Sequence, residues 1–457
     1  RYRAAHPAFW QKGCPMKRSH PFIAGTIILT ATGLVSRLIG FFYRIYLSRL
    51  FGEEGMGVYQ LLSPVLALTF SVTAAGLQTA ISKYVAGECQ GRDSRSSFRF
   101  VCTGTIFSLI LSFLCMGVLI RFSEQIAAQF LLEPRTASML RIIAYSIPVG
   151  GVHSCINGYF YGIKKAGIPA ATQLIEQFCR IACVLAASRI AAARHTHPTI
   201  NAAVIGLVVG EFFAMVVSLL AIFLRMKKAD PAFRNPVVSY RHAGTALLKL
   251  SFPLSLTRLV INLLQSVEAV YIPSMLLSYG YDTVTALSVY GVLTGMALPL
   301  LFFPNALTGS ISLMLLPVVS EADAAGKKDV VRRATEKTVY SCLLLGGLCT
   351  LGFLLFGNLM GKILFASELA GRFICSLSFL CPFLYLGTTL SSILHGLGRA
   401  GGVFFVNVSS LLIRLFFVFF LLPRYGIDCY MFGMLLSQIY SAVLFLLLLR
   451  SPGRKIP

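Results

Sequence analysis

The apolar run 22–47, FIAGTIILTATGLVSRLIGFFYRIYL, decides the fold class, because it is long enough to cross a lipid bilayer and still carries two arginines. A membrane-spanning helix needs about 20 mostly apolar residues. Similar runs recur along the chain, and 56% of its 457 residues are hydrophobic while only 12% are charged. Soluble domains carry roughly 25% charged residues, so the composition excludes a typical soluble protein.

Twelve apolar runs, separated by charged stretches and helix breakers, predict an all-α polytopic membrane protein with about 12 transmembrane helices. The connections between the runs are short and leave no room for a sizeable soluble domain. The predicted helices cover residues 22–47, 58–83, 98–120, 138–162, 168–188, 200–224, 245–277, 286–318, 338–361, 373–396, 402–422 and 428–449.

The charge balance indicates topology. The chain has 40 Lys and Arg against 17 Asp and Glu, a formal net charge of +23. In a membrane protein, basic residues concentrate in the cytoplasmic loops. Assigning loops alternately to the two sides places most of the Lys and Arg on the side of the termini. We therefore expect a plasma-membrane protein with both termini in the cytoplasm and no nucleic-acid partner.

The 12 cysteines predict neither a metal site nor a disulfide framework. They include no CxxC pair, and most of them lie in apolar runs. Free cysteine behaves as a small hydrophobic residue in such surroundings.

A weak internal repeat divides the chain. Pro148, Gly162 and Arg180 recur at the same spacing as Pro382, Gly396 and Arg414, and 36–38 (SRL) is echoed by 257–259 (TRL). Parallel repeats of this kind are typical of transporters with a substrate site between the halves. We expect six-helix halves at 22–224 and 245–449 around a central cavity, a basic cytoplasmic linker at 225–244, and cytoplasmic segments at 1–21 and 450–457.

Two polar stripes predict the cavity walls. An arginine at the centre of a bilayer costs roughly 2.5 to 3.5 kcal/mol on insertion scales, so buried arginines indicate function. Arg37 and Arg44 lie two turns apart on one helical face, which they share with Thr26, Thr30, Gly33, Gly40 and Ser48. The matching stripe of the seventh helix contains Ser251, Ser255, Arg258, Asn262 and Gln265, with Glu268 at its edge.

The arginines indicate the charge of the ligand. Guanidinium groups bind phosphate bidentately and stay charged at any working pH. A cavity with excess positive charge therefore predicts an anionic substrate, for which a lipid-linked pyrophosphate is suitable. We expect Arg37 and Arg258 to bind the pyrophosphate together. Arg44 either joins them or extends to the membrane interface as a long amphipathic side chain does.

The carboxylates within the helices leave two alternatives open. Glu176 lies one turn before Arg180, a spacing that predicts an internal ion pair. Glu211 and Glu268 either couple transport to ions or protons, or neutralise a nearby arginine.

The runs 36–44 (SRLIGFFYR), 51–59 (FGEEGMGVY) and 76–83 (GLQTAISK), with 173–177 (QLIEQ) and Arg180, carry a family resemblance. The chain resembles stage V sporulation protein B-like polysaccharide transporters of the multidrug, oligosaccharidyl-lipid and polysaccharide exporter superfamily, which is related to lipid II flippases. In those flippases, arginines of the first helix bind the substrate head group, and the resemblance implies this role for Arg37 and Arg44.

Together these features predict a flippase that moves a polyprenyl-pyrophosphate-linked saccharide, such as a cell-wall or spore-cortex peptidoglycan precursor, by alternating access. We expect the protein to have no enzymatic activity and to bind neither a cofactor nor a metal ion. Its expected partners are the lipid-linked anionic oligosaccharide, the bilayer and, as candidates, cell-wall synthesis enzymes. The alternative is a multidrug cation antiporter of the same superfamily. A membrane glycosyltransferase or polymerase needs catalytic groups in large outer loops, where only His195 and His197 form a pair.

Overall fold

The computed structural model describes residues 20–89, 95–196, 198–227 and 239–450, and within these ranges the regular structure is entirely helical. Each of the twelve predicted ranges is mostly helical. Residues 1–19 of the predicted N-terminal segment, 228–238 of the predicted linker, 451–457 of the predicted tail and His197 lie outside the described residues. The all-α polytopic class predicted from the sequence is confirmed.

Twelve helical segments, numbered here in chain order, carry the fold. They are α1 (His20–Gln60), α2 (Leu62–Gly87), α3 (Ser97–Arg121), α4 (Thr136–Ala144 with Ser146–Gly162), α5 (Gly167–Ala193), α6 (Ile200–Lys227), α7 (Tyr240–Tyr279), α8 (Thr283–Phe302 with Asn305–Ala324), α9 (Lys328–Phe365), α10 (Glu368–Gly396), α11 (Ala400–Tyr425) and α12 (Ile427–Arg450).

Within the described ranges, nine helices are long and apolar enough to cross a membrane, and the bent pair that forms α4 makes a tenth. The two remaining predicted spans lie in α1 and α5, the helices that carry Arg37, Arg44 and Arg180. At a rise of about 1.5 Å per residue, the 40 residues of α7 form a helix that is longer than the hydrocarbon core is thick.

Two connections differ from the sequence prediction. Residues 48–57 were expected to link the first two helices, but the structure keeps them helical and turns the chain at Gly52 alone, with φ of 70°. Glycine adopts this backbone conformation without the steric penalty that a Cβ atom brings. The predicted helix 286–318 is interrupted at Phe303 and Pro304, because proline lacks the backbone N–H that an α-helix interior requires.

Large apolar side chains lie on the surface, and the core contains large buried aromatic residues. Large apolar side chains point outward, among them Phe252 and Leu355, which are 70% and 67% exposed. Tyr159, Tyr290, Tyr385 and Tyr430 are among the largest fully buried side chains. In water such a surface would be unfavourable, but the hydrocarbon core of a bilayer accommodates it.

Glycines bring the part of the chain before residue 225 against the part after 240. A Cβ atom at Gly57 would lie 2.1 Å from the Leu287 carbonyl oxygen, and one at Gly291 would lie 2.3 Å from that of Glu53. A Cβ atom at Gly76 would lie 2.5 Å from the Ser251 carbonyl oxygen. The first two contacts join the turn at Gly52 to α8, and the third joins α2 to α7.

Candidate functional site

A cavity of about 840 Å³ is lined by residues of α1, α2, α5, α7, α8, α11 and α12. Its charged lining consists of Arg37, Arg44, Arg180, Glu268 and Arg414. Gln173 and Gln177 of α5 and Gln265 of α7 add neutral polar groups. Four guanidinium groups against one carboxylate give the wall of this cavity an excess of positive charge.

Glu268 is neutralised within the cavity wall. Its two carboxylate oxygens accept hydrogen bonds from Nε and Nη2 of Arg414, both at 2.6 Å, and Oε1 also accepts one from the Tyr430 hydroxyl at 2.7 Å. The Glu268 side chain is 3% exposed and that of Arg414 is 20% exposed. For Glu268, the structure therefore favours charge balance over ion coupling.

Arg180 is also paired. It donates to Glu176, one helical turn earlier on α5, as the spacing predicted. Gly206 and Gly210 let α6 approach α5 at this point: a Cβ atom at Gly210 would lie 2.6 Å from the Glu176 carbonyl oxygen. Nε of Arg180 is buried and has no hydrogen-bond partner among the described residues.

Arg37 and Arg44 remain as the positive charges of the cavity without a counterion. Across residues 20–89, 95–196, 198–227 and 239–450, neither forms an ion pair with a carboxylate. Arg44 lines the cavity together with Tyr59 and Arg180. Of the two alternatives for Arg44, the structure favours the cavity.

Arg258 and Asn262 require a correction, because neither lines the cavity. Arg258 donates to the Ala75 carbonyl oxygen at 3.3 Å and to the Thr79 hydroxyl at 3.5 Å. Asn262 donates to the Ala67 carbonyl oxygen at 3.2 Å. Both side chains connect α7 to α2 around the π-helical turn Ser71–Ala75. Arg258 contacts α2 and is not among the residues that line the cavity with Arg37, so the structure does not support the predicted pair of pyrophosphate ligands. Gln265 alone extends from the α7 stripe into the cavity.

Glu211 lies outside this cavity. Its Oε1 is 2.8 Å from Nδ1 of His153 on α4, and it lines a second cavity. Neither the role of His153 nor the cavity positions of Arg414, Gln173 and Gln177 were predicted from the sequence. The spacing of Gln173, Gln177 and Arg180 on one face of α5 was available as a signal, and so was the repeat that relates Arg414 to Arg180.

Known proteins share both the sequence pattern and the fold. Residues 22–323, more than half of the chain, match the family described as polysaccharide biosynthesis protein. The chain belongs to this family. Stage V sporulation protein B of Bacillus subtilis (strain 168) is a relative, 29% identical over 408 residues that cover 88% of this chain and 78% of that protein.

Among solved structures, the fold of this family member matches lipid II flippase MurJ in an inward closed conformation, with a TM-score of 0.72 and 15% identity over 93% of this chain and 88% of that one. It also matches an inward-facing multidrug resistance MATE family transporter of the MOP superfamily, with a TM-score of 0.65 and 16% identity over 93% and 97% of the two chains. These likenesses show the fold.

Proposed function

We propose that the protein is a flippase that moves a polyprenyl-pyrophosphate-linked saccharide across the membrane. One observation carries the proposal: Arg37 and Arg44 line the cavity without a counterion, while the other charges of its wall are paired. Arg37 is exposed and Arg44 is half-buried, and positive charges that line one cleft attract an anion. Two adjacent phosphates supply the negative charge and the planar arrangement of oxygens that guanidinium groups bind.

The cation antiporter is the second candidate, because the fold resembles a MATE transporter as well as MurJ. A cation needs a free carboxylate in the cavity. Glu268 is the single carboxylate of the described lining, and Arg414 already occupies both of its oxygens. The charges of the cavity thus support an anionic ligand.

The names of the relatives support the same substrate class. The description of the family refers to polysaccharide biosynthesis. Among the relatives, stage V sporulation protein B is named for sporulation, and MurJ is named as a lipid II flippase. We infer a cell-wall or spore-cortex precursor as the saccharide, no catalytic activity, a position in the plasma membrane with both termini in the cytoplasm, and cell-wall synthesis enzymes as partners.

The transport step we infer is rocking of two halves, 22–224 and 245–449, around the cavity. The contacts of Gly57 with Leu287 and of Gly76 with Ser251 lie where the halves would meet. Backbone contacts without intervening side chains suit surfaces that separate and close again.

A binding experiment tests the proposed substrate class. The purified protein in detergent is titrated with a fluorescent farnesyl-pyrophosphate-linked N-acetylglucosamine and, separately, with ethidium. We expect saturable binding of the pyrophosphate probe, lost in Arg44→Ala and retained in Arg189→Ala, a matched control in which an exposed arginine of α5 outside the cavity is removed. Binding of ethidium but not of the pyrophosphate probe would establish the antiporter instead.

A further inference from the structure

A second cavity, of about 360 Å³, lies beside the first and shares Arg180 with it. It is lined by residues of α2, α4, α5 and α6, and Arg180 and Glu211 supply its charged groups. Gly150 leaves room for the carboxylate, since a Cβ atom there would lie 3.3 Å from Oε1 of Glu211.

His153 and Glu211 form a buried pair at this cavity. Nδ1 of His153 lies 2.8 Å from Oε1 of Glu211, and the two side chains are 8% and 18% exposed. On the opposite side of the ring, Nε2 lies 2.9 Å from Nδ2 of Asn157 and 3.3 Å from the Thr172 hydroxyl. Thr172 donates its own proton to the Pro169 carbonyl oxygen at 3.0 Å. Its oxygen therefore remains an acceptor.

These contacts suit the ring in both protonation states. With the amide as placed, Asn157 donates to Nε2, so the imidazole is neutral and its Nδ1–H donates to Glu211. Oδ1 of Asn157 is then buried and has no partner within the described part of the chain. A half-turn of the amide brings Oδ1 to Nε2, where it accepts a hydrogen bond from a protonated Nε2. The same half-turn moves Nδ2 to the position without a partner, so Asn157 bonds the ring equally in either protonation state.

Glu211 differs from the other two carboxylates that the sequence placed within the helices. Glu176 pairs with Arg180, and Glu268 pairs with Arg414. Glu211 has histidine as its partner, and the charge of histidine changes within the physiological pH range. No group of three or more His, Cys, Asp or Glu able to hold a metal ion occurs among the described residues. A proton is a ligand that suits this pair, because both the imidazole and the carboxylate bind protons.

Charged groups from each neighbouring helix define the surroundings of the pair. Segment α5 contributes Arg180, which lines the cavity together with Glu211, and Glu176, which pairs with Arg180. The residues of α2 that line the cavity are uncharged. On α3, the hydroxyl of Ser108 lies beside the backbone of Gly151. Arg180 is thus the charged group that the two cavities share.

We propose that His153 and Glu211 form a proton-binding site whose occupancy determines whether Arg180 is available to the anion in the main cavity. When His153 is neutral, the negative charge of Glu211 attracts Arg180, whose Nε is unpartnered. When His153 is protonated, the imidazolium balances Glu211, so that Glu176 alone holds Arg180. The Nε of Arg180, which has no partner among the described residues, is then available to the anion. Proton binding and anion binding therefore favour each other, and this linkage is reciprocal. The inference rests on the proposed function.

Substitutions of His153 and of Glu211 are expected to have opposite effects on affinity for the anion. A purely structural role of the pair would not produce this difference. Glu211→Gln removes the competing charge, so affinity for the anion should stay at its low-pH level at every pH. His153→Gln leaves Glu211 permanently charged, so affinity should stay at its high-pH level. In the unmodified protein, one linked proton raises affinity by at most tenfold for each unit of falling pH. The matched control is His242→Gln, which removes an exposed histidine of α7.

The experiment measures affinity for the farnesyl-pyrophosphate-linked N-acetylglucosamine between pH 5.5 and 8 in detergent, together with proton uptake from a weakly buffered solution. Both phosphates of this probe are diesters, so the probe does not titrate in this range. We expect proton uptake on binding in the unmodified protein and in His242→Gln, and none in Glu211→Gln or His153→Gln. Binding with no proton uptake and no pH dependence in the unmodified protein would overturn the proton site and leave the flippase standing.

A difference titration of the unmodified protein against His153→Gln, without any probe, separates failure of the proton site from failure of the proposed function. We expect the variant to lack one group that takes up a proton between pH 5 and 8. If the probe binds at no pH, the substrate class is wrong, and this titration still decides whether His153 accepts a proton. If His153→Gln does not fold, Glu211→Gln carries the affinity test, and pH dependence in that variant equal to the unmodified protein's would refute the proposal.

Discussion

Arg414 binds Glu268 through two parallel hydrogen bonds of 2.6 Å that join α11 to α7 across 146 residues of sequence. The Tyr430 hydroxyl completes the arrangement by donating to Oε1 of Glu268. Both residues lie in the wall of the cavity, and together they add no net charge to it. Arg37 and Arg44 form no ion pair within the described part of the chain. This contrast distinguishes arginines that hold the helices together from arginines available to a ligand.

Breaking this pair is expected to destabilise the fold. Arg414→Ala leaves a buried carboxylate uncompensated, which should cost about 3 to 5 kcal/mol. The double variant Arg414→Met with Glu268→Leu removes both charges and should recover most of that loss, because well-packed apolar residues replace buried ion pairs at little cost. Thermal unfolding in detergent compares them. A double variant no more stable than Arg414→Ala would contradict this assignment.

Substitutions at Arg37 and at Arg258 should have different effects, although the two residues occupy equivalent positions in the internal repeat. Arg37→Ala should weaken binding of the pyrophosphate probe by roughly 10- to 100-fold, since a hydrogen bond to a charged group contributes about 1.5 to 3 kcal/mol. Arg37→Lys keeps the charge but not the planar fork and should retain part of the affinity. Arg258→Ala should leave the affinity unchanged and lower the unfolding temperature, because it loses its contact with α2. The reverse pattern would restore Arg258 as a ligand.

Gly57 should tolerate no side chain. Gly57→Ala places a methyl group against the backbone of Leu287, and overpacking of this kind costs about 1 to 3 kcal/mol. Gly117→Ala on α3 is the matched control, because a Cβ atom there meets nothing within 4 Å. The unfolding midpoints of the two variants should separate, with only Gly57→Ala falling below the parent. Equal midpoints would show that the turn and α8 move apart freely.

The inferred orientation is testable by labelling. Ser278 and Ala325 are exposed at opposite ends of α8, the first just before it and the second just after it. In intact cells, Ser278→Cys should react with a membrane-impermeant maleimide, and Ala325→Cys should react only after the membrane is opened. Reaction of both from outside would contradict the twelve-helix topology, and reaction of Ala325→Cys alone would reverse it.

Local sequence signals predicted what depends on local structure. Apolar runs predicted the helices because a span needs only a continuous apolar stretch, and the spacing of Glu176 and Arg180 predicted their pair because both lie on one helix. The turn at Gly52 was missed because the helical pattern continues on both sides of it. The break at Pro304 was missed because the predicted apolar run extends through it.

Partners far apart in sequence were not predictable in the same way. A polar stripe on α7 shows which residues share a face but not which helix that face meets. Arg258 and Asn262 meet α2, whereas Gln265 reaches the cavity. The pairing of Glu268 with Arg414 depends on the packing of α7 against α11. His153 gave no local signal, because its partner Glu211 lies 58 residues away.

Translocation in proteoliposomes tests the central claim most directly. The protein is reconstituted with a fluorescent polyprenyl-pyrophosphate-linked saccharide, and an impermeant quencher added outside reports how much probe changes leaflet. The account predicts translocation by the unmodified protein and by Arg189→Ala, and only the background of empty vesicles for the double variant Arg37→Ala with Arg44→Ala. Translocation by the double variant at the unmodified rate would contradict it.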